Sequence, residues 1–164
     1  CTYARSSAII LYDFCKALHI PVTVYGHSTS GSSVELYSYA EFESIDNDDK
    51  YRLMDIAARG SNRDGAALRF VAEQLVKRPE EVKILILVSD GQPAAPGYYG
   101  SAAEEDLRGI KQEYRRKGVL FIAAAIGEDK QNIERIYGDS FMDITDLNQL
   151  PVKLTAAVKR HMRV

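Results

Sequence analysis

Three oxygen-bearing side chains in two loops are the residues of this sequence best suited to hold a cation. Asp90 closes the run Ile84-Leu-Ile-Leu-Val-Ser-Asp90 and is followed by Gly91. A carboxylate at the end of an apolar strand has to be solvated, paired or metal-bound, because a bare buried charge is very costly. Gly91 lets the backbone turn sharply beside it. Asn62 and Asp64 sit in a second loop, Gly60-Ser-Asn-Arg-Asp-Gly65, just ahead of a helix. Oxygen donors with no Cys or His cluster suit a hard cation, Mg2+ before Zn2+. The competing roles are plainer: a cap of the next helix for Asn62 and Asp64, and a turn or cap for Asp90.

The elements that must position these loops follow from periodicity. Residues 2–18 carry Ala4, Ala8, Leu11, Cys15 and Leu18 on one helical stripe. A short strand is expected over Val22–Tyr25, a Ser/Gly-rich turn over Gly26–Ser33, and an alternating strand over Val34–Ala40. Helices are expected from Asp48 to about Ala58 and from Asp64 to Lys77. Ile84–Val88 and Val119–Ile126 are wholly apolar, as strands covered on both faces are. Between them, Ser101-Ala-Ala-Glu104 has the form of a capping box, opening a helix that Gly118 ends. A helix near Lys130–Tyr137, a strand near Phe141–Ile144 and a last helix from about Leu147 complete the chain. Helices alternating with buried strands define an α/β class with a mainly parallel sheet. Ligands of such sheets bind beyond the C-terminal strand ends, where both loops fall.

Composition narrows the function classes. The 164 residues are 46% hydrophobic and carry a formal charge of −2, so one domain with a full core is expected and no basic excess steers it to nucleic acid or anionic lipid. No apolar run reaches the roughly 18 residues that a membrane span needs. Cys1 and Cys15 on one helix would stand about 21 Å apart, beyond the reach of a disulfide. Cys15 is then a small buried apolar residue, which points to a reducing, cytoplasmic setting. The chain begins at Cys1, inside the first expected helix, and the native N-terminus is expected upstream.

With these residues in view, the chain resembles the von Willebrand factor A (vWA) domains. Ile84-Leu-Ile-Leu-Val-Ser-Asp-Gly-Gln-Pro93 is similar to their strand ending in a Ser/Thr-Asp-Gly turn. Asn62-Arg-Asp-Gly-Ala-Ala-Leu68 is similar to the loop and helix that supply the second segment of their metal-ion-dependent adhesion site. The order of elements also matches over nearly the whole chain. Arg78-Pro-Glu-Glu81, Tyr98-Tyr-Gly100 and Ile136-Tyr-Gly138 resemble the bacterial subgroup of cobaltochelatase subunits and nitric oxide reductase activation proteins. The resemblance implies a three-layer, Rossmann-like α/β sandwich with one antiparallel edge strand, spanning 1–164 as a single domain truncated at its N-terminus. It implies Mg2+, or Mn2+, held by Asn62, Asp64 and Asp90 together with upstream ligands, and completed by a Glu or Asp of a protein partner. In that subgroup the partner is a MoxR-type AAA+ ATPase, and the pair activates a target enzyme or loads metal into it.

Two departures qualify this. The family's Asp-x-Ser-x-Ser motif lies on a first strand that would precede Cys1, and position 62 is Asn where the family usually has Thr. That first strand belongs at the centre of the sheet, between the strands holding Val22–Tyr25 and Ile84–Val88. A strand upstream of Cys1 is therefore expected, the alternatives being one cut away, disordered or supplied by another chain. Intact mass against 18.3 kDa separates these.

Ser28-Thr-Ser-Gly-Ser-Ser33 only superficially resembles the missing motif, and is expected to be plain turn chemistry. His27 is expected to be a solvated loop residue, His19 and His161 to favour helix-end dipoles, and the acidic run Asp46–Asp49 to be a solvated helix start. Tyr98 and Tyr99, in a loop beside the candidate cation, are candidate partner contacts, with local packing as the alternative. The domain is expected to be non-catalytic. Two other functions stay open: a metal-free interaction module with an incomplete site, and a phosphoryl-transfer hydrolase using Asp90 as nucleophile. Against the latter, the sequence has no Asp-x-Asp, P-loop, Gly-x-Gly-x-x-Gly or Gly-x-Ser-x-Gly motif.

Overall fold

A computed structural model describes residues 2–43, 48–57, 63–89, 97–125 and 130–162. The elements are α1 (Thr2–Ala17), β1 (Val24–Ser30), β2 (Ser33–Ala40), α2 (Asp49–Met54), α3 (Asp64–Val76), β3 (Lys83–Ser89), α4 (Gly100–Arg116), β4 (Val119–Ala125), α5 (Lys130–Tyr137), β5 (Phe141–Asp143) and α6 (Leu150–Met162). The expected α/β class is observed. The strands form a parallel sheet ordered β3-β4-β5 and a separate antiparallel pair β1-β2, in place of one sheet with an antiparallel edge.

The parallel sheet is covered on both faces because its strands alternate large apolar residues to either side. Leu85, Leu87, Phe121 and Ala123 face α3, α4 and α5, packing with Leu68, Leu107, Ile110, Ile133 and Tyr137. Ile84, Ile86, Ile122 and Ala124 face the other way, onto Leu11 and Phe14 of α1 and Leu150 and Leu154 of α6. The result is three layers, with β4 the most deeply buried strand. A third cluster joins Tyr12 of α1 to Tyr39, Ala40 and Leu53, so α1 packs on both sheets.

Between β1 and β3 runs a trough of about 920 Å3, lined by Val22–His27 on one side and Lys83–Ser89 on the other. Among the described residues no strand lies between them. Ile84, Ile86 and Val88 are consequently only half-buried, on the face expected to be fully covered.

Several local expectations are corrected. The Gly26–Ser33 turn shrinks to Gly31 and Ser32: β1 continues to Ser30, and Gly31 takes the positive φ of 59° that the tight reversal requires. Tyr25, Ser28 and Thr29 gain ladder partners that outweigh the Ser/Gly bias of the segment. Leu18 lies beyond the end of α1 and is 57% exposed. The helix expected to reach Ala58 stops at Met54. Asp49, expected to be solvated, is buried against the Tyr12 hydroxyl and Arg52. The capping box at Ser101 does not form: Tyr99 is the N-cap of α4, and buried Glu104 turns to Arg135 Nη2 of α5 at 2.8 Å. An ion pair to a neighbouring helix wins over the local backbone contact.

Candidate metal-binding site

The strands β3, β4 and β5 run parallel, so Ser89, Ala125 and Asp143 share one sheet edge. Asp90 directly follows Ser89. Asp90 and Asn62, the first two candidate ligands, lie outside the described residues. The third, Asp64, is the first residue of α3, after the N-cap Arg63. It is therefore not the helix cap. Its carboxylate sits where the α3 dipole favours negative charge, and the residue is only 4% exposed.

A buried carboxylate needs partners, and β1 supplies one. His27 Nε2 stands 2.6 Å from Asp64 Oδ1. A carboxylate can only accept, so Nε2 donates. Two residues further along the same face of β1, Thr29 Oγ1 accepts the Arg63 N–H at 3.0 Å. From the opposite side, the Tyr98 hydroxyl lies against Gly65 and donates to Asp106 Oδ2 at 2.7 Å. Arg63 and Asp64 are thus each held by a different side chain of β1, and Gly65 is faced by Tyr98.

Those contacts revise the standing of two residues. His27 is a strand residue paired with a buried acid, not a solvated loop residue. Tyr98 is half-buried, close to Gly65 of α3 and bonded to Asp106 of α4; burial first, then Asp106, holds its phenol protonated well above the ordinary tyrosine range. Tyr99, its neighbour, is 70% exposed. Sequence reading missed His27, Thr29 and Tyr137 as neighbours of Asp64. The alternation Tyr25, His27, Thr29 opposite Val34 and Leu36 was the available signal, hidden by the intervening Gly and Ser.

Tyr137 completes the surroundings. It is 1% exposed, stacks on Phe121 at 5.4 Å, and its hydroxyl has no hydrogen-bond partner among the described residues. Burial first, then the nearby Asp64 and Tyr98, pushes its ionisation up. At the far end of the sheet edge, Asp143 is already committed. The Thr145 hydroxyl and N–H bind it, Lys130 Nζ approaches to 3.2 Å, and its carboxyl is lowered to about 2.

Of the three candidate ligands only Asp64 is among the described residues, and its carboxylate is of the donor type a hard cation takes. Among the described residues no cluster of three His, Cys, Asp or Glu groups assembles, so a soft-metal site is not built there. Asp64 is a buried oxygen donor with Oδ1 held by His27, and no Lys or Arg of the described residues pairs with it. An oxygen donor of this kind is what Mg2+ or Mn2+ takes.

Helices on both faces of a parallel sheet are the layering of a vWA-type domain. Proximal thread matrix protein 1 from the mussel byssus superposes with a TM-score of 0.59 over 94% of this chain and 40% of that one, at 20% identity. A second structure of that protein, with a zinc-occupied metal-ion-dependent adhesion site, gives 0.61 over 94% and 41%, also at 20% identity. Residues 52–162 match the family described as the cobalamin biosynthesis protein CobT VWA domain, and the chain belongs to that family. The protein YojO of Bacillus subtilis is 30% identical over 95% of this chain and 26% of its own length. Protein NorD of Brucella suis is 34% identical over 57% of this chain and 15% of its own. The chain thus spans about a quarter or less of the curated relatives it matches.

Proposed function

We propose that this domain is a non-catalytic, metal-ion-dependent protein-binding module. Asp64, Asn62 and Asp90, with further oxygen ligands, hold Mg2+ or Mn2+. The ion keeps one coordination position for a Glu or Asp of a partner. A bound divalent ion offers a partner's carboxylate a strong, oriented counter-charge, so recognition depends on the metal. The observation that carries this reading is Asp64: a buried carboxylate with one oxygen held by His27, at the start of α3, in a chain of the CobT VWA family.

Membership of that family and likeness to NorD support a role in activating or metal-loading a target enzyme. The partner is then a MoxR-type AAA+ ATPase, acting with this protein in the cytoplasm. Among the described residues no helix is long and apolar enough to cross a membrane. Calorimetry of the full chain with a MoxR-type ATPase tests the reading. Binding is expected in Mg2+, and is expected to fall sharply in chelator and in Asp64→Asn and Asp90→Asn. Equal affinity with and without the ion sinks it.

A further inference from the structure

We propose that β1 is the positioning element of this site: His27 orients the Asp64 carboxylate toward the cation, and Thr29 fixes the residue before it. The inference rests on the metal-binding reading above.

Tyr25, His27 and Thr29 occupy alternate positions of β1 and so share one face. All three touch α3 or its N-cap residue. The Tyr25 ring meets Phe70 edge-on at 5.8 Å, His27 binds Asp64, and Thr29 binds the Arg63 N–H. The strand therefore runs along the helix toward its N-terminus, with one contact per alternate residue. These contacts join residues 34 to 45 positions apart in sequence, so local helix formation alone cannot supply them.

Orientation is what this arrangement adds. A free Asp rotates about χ1 and χ2 and must be immobilised when a cation binds. The Nε2–H bond to Oδ1 fixes the carboxylate plane beforehand. Among the described residues no hydrogen bond reaches the second oxygen, Oδ2, and that atom is the one left to a cation. A ring N–H that holds a liganding carboxylate is an outer-shell contact, and losing such a contact typically weakens metal binding by about 10- to 100-fold. His27 is thus a positioning residue that touches neither ion nor partner.

The test uses the full chain. Mn2+ is titrated by calorimetry into the wild type, His27→Ala, His27→Gln and Thr29→Val. Amide exchange of Arg63, Asp64 and Gly65 is followed without metal. His27→Ala is expected to weaken Mn2+ binding by about 10-fold or more, and to speed exchange at Asp64 and Gly65. His27→Gln, which keeps a side-chain N–H donor, is expected to recover most of the affinity. Thr29→Val is expected to speed exchange at Arg63. Wild-type Mn2+ affinity in His27→Ala overturns the positioning role and leaves the metal reading standing. Loss in His27→Gln equal to that in His27→Ala overturns it as well. A wild type that takes up no Mn2+ removes the metal reading, and the inference with it. Unchanged exchange in His27→Ala overturns the tether whatever the metal does. Should His27→Ala fail to fold, the His27→Gln and Thr29→Val comparisons decide in the same way.

Discussion

The Tyr98 hydroxyl and the Asp106 carboxylate meet at 2.7 Å in the space a side chain at residue 65 would fill. A Cβ on Gly65 would stand 2.3 Å from Asp106 Oδ2 and 2.4 Å from the Tyr98 hydroxyl. The glycine is there to admit a hydrogen bond between two other residues.

Gly65→Ala is therefore expected to push Tyr98 off Asp106 and to destabilise the fold by about 1–3 kcal/mol, as overpacking does. Gly109→Ala is the control: α4 is exposed there and nothing lies within 4 Å of the added carbon. By helix propensity that change is expected to stabilise by about 0.5–1 kcal/mol. Urea unfolding of both variants measures the pair. A Gly65→Ala protein as stable as Gly109→Ala would mean that the Tyr98 contact yields at no cost.

Tyr137→Phe is expected to raise stability. The hydroxyl is buried with no partner among the described residues, and such a group costs about 1–3 kcal/mol. The Phe121 stacking survives the change. Thermal unfolding of the metal-free protein reads the effect, and a lower melting temperature would show that the hydroxyl has a partner in solution.

Asp143 makes the acid limb of stability predictable. Its folded carboxyl is lowered to about 2, mainly by the Thr145 hydroxyl and N–H, then by Lys130. Its unfolded value is about 3.9. A depressed folded value means that ionised Asp143 stabilises the fold fully above the unfolded value, and that this contribution fades as pH falls from about 4 to about 2. Melting temperature against pH should thus fall less steeply over that window in Asp143→Asn than in the wild type. The residue is partly exposed, so solvent screens the effect. Parallel curves would show that the Thr145 and Lys130 contacts do not persist in solution.

Much of this arrangement was written locally in the chain. The all-apolar runs at Ile84–Val88 and Val119–Ala125 became parallel strands, and α3 starts at Asp64 as the Asp-Gly pair and apolar spacing indicate. What escaped depends on contacts distant in sequence. β1 reads as a turn because Gly26, Ser28 and Ser30 are poor strand formers, and only pairing with β2 and packing on α3 hold it extended. Glu104 has the spacing of a cap, yet Arg135, 31 residues away, takes its carboxylate. His27 beside Asp64 is of the same kind: the two side chains that form this hydrogen bond are 37 positions apart in sequence.

Among the described residues, the β1-β2 hairpin and the parallel sheet meet through side-chain packing across the trough. No backbone ladder among the described residues ties the hairpin to the parallel sheet; α1 and α3, each packed on both, span the divide. His27 and Thr29 ride on the hairpin while Ser89 rides on the sheet. A shift of the hairpin against the sheet therefore moves His27, and with it the partner of Asp64, relative to the strand end at Ser89.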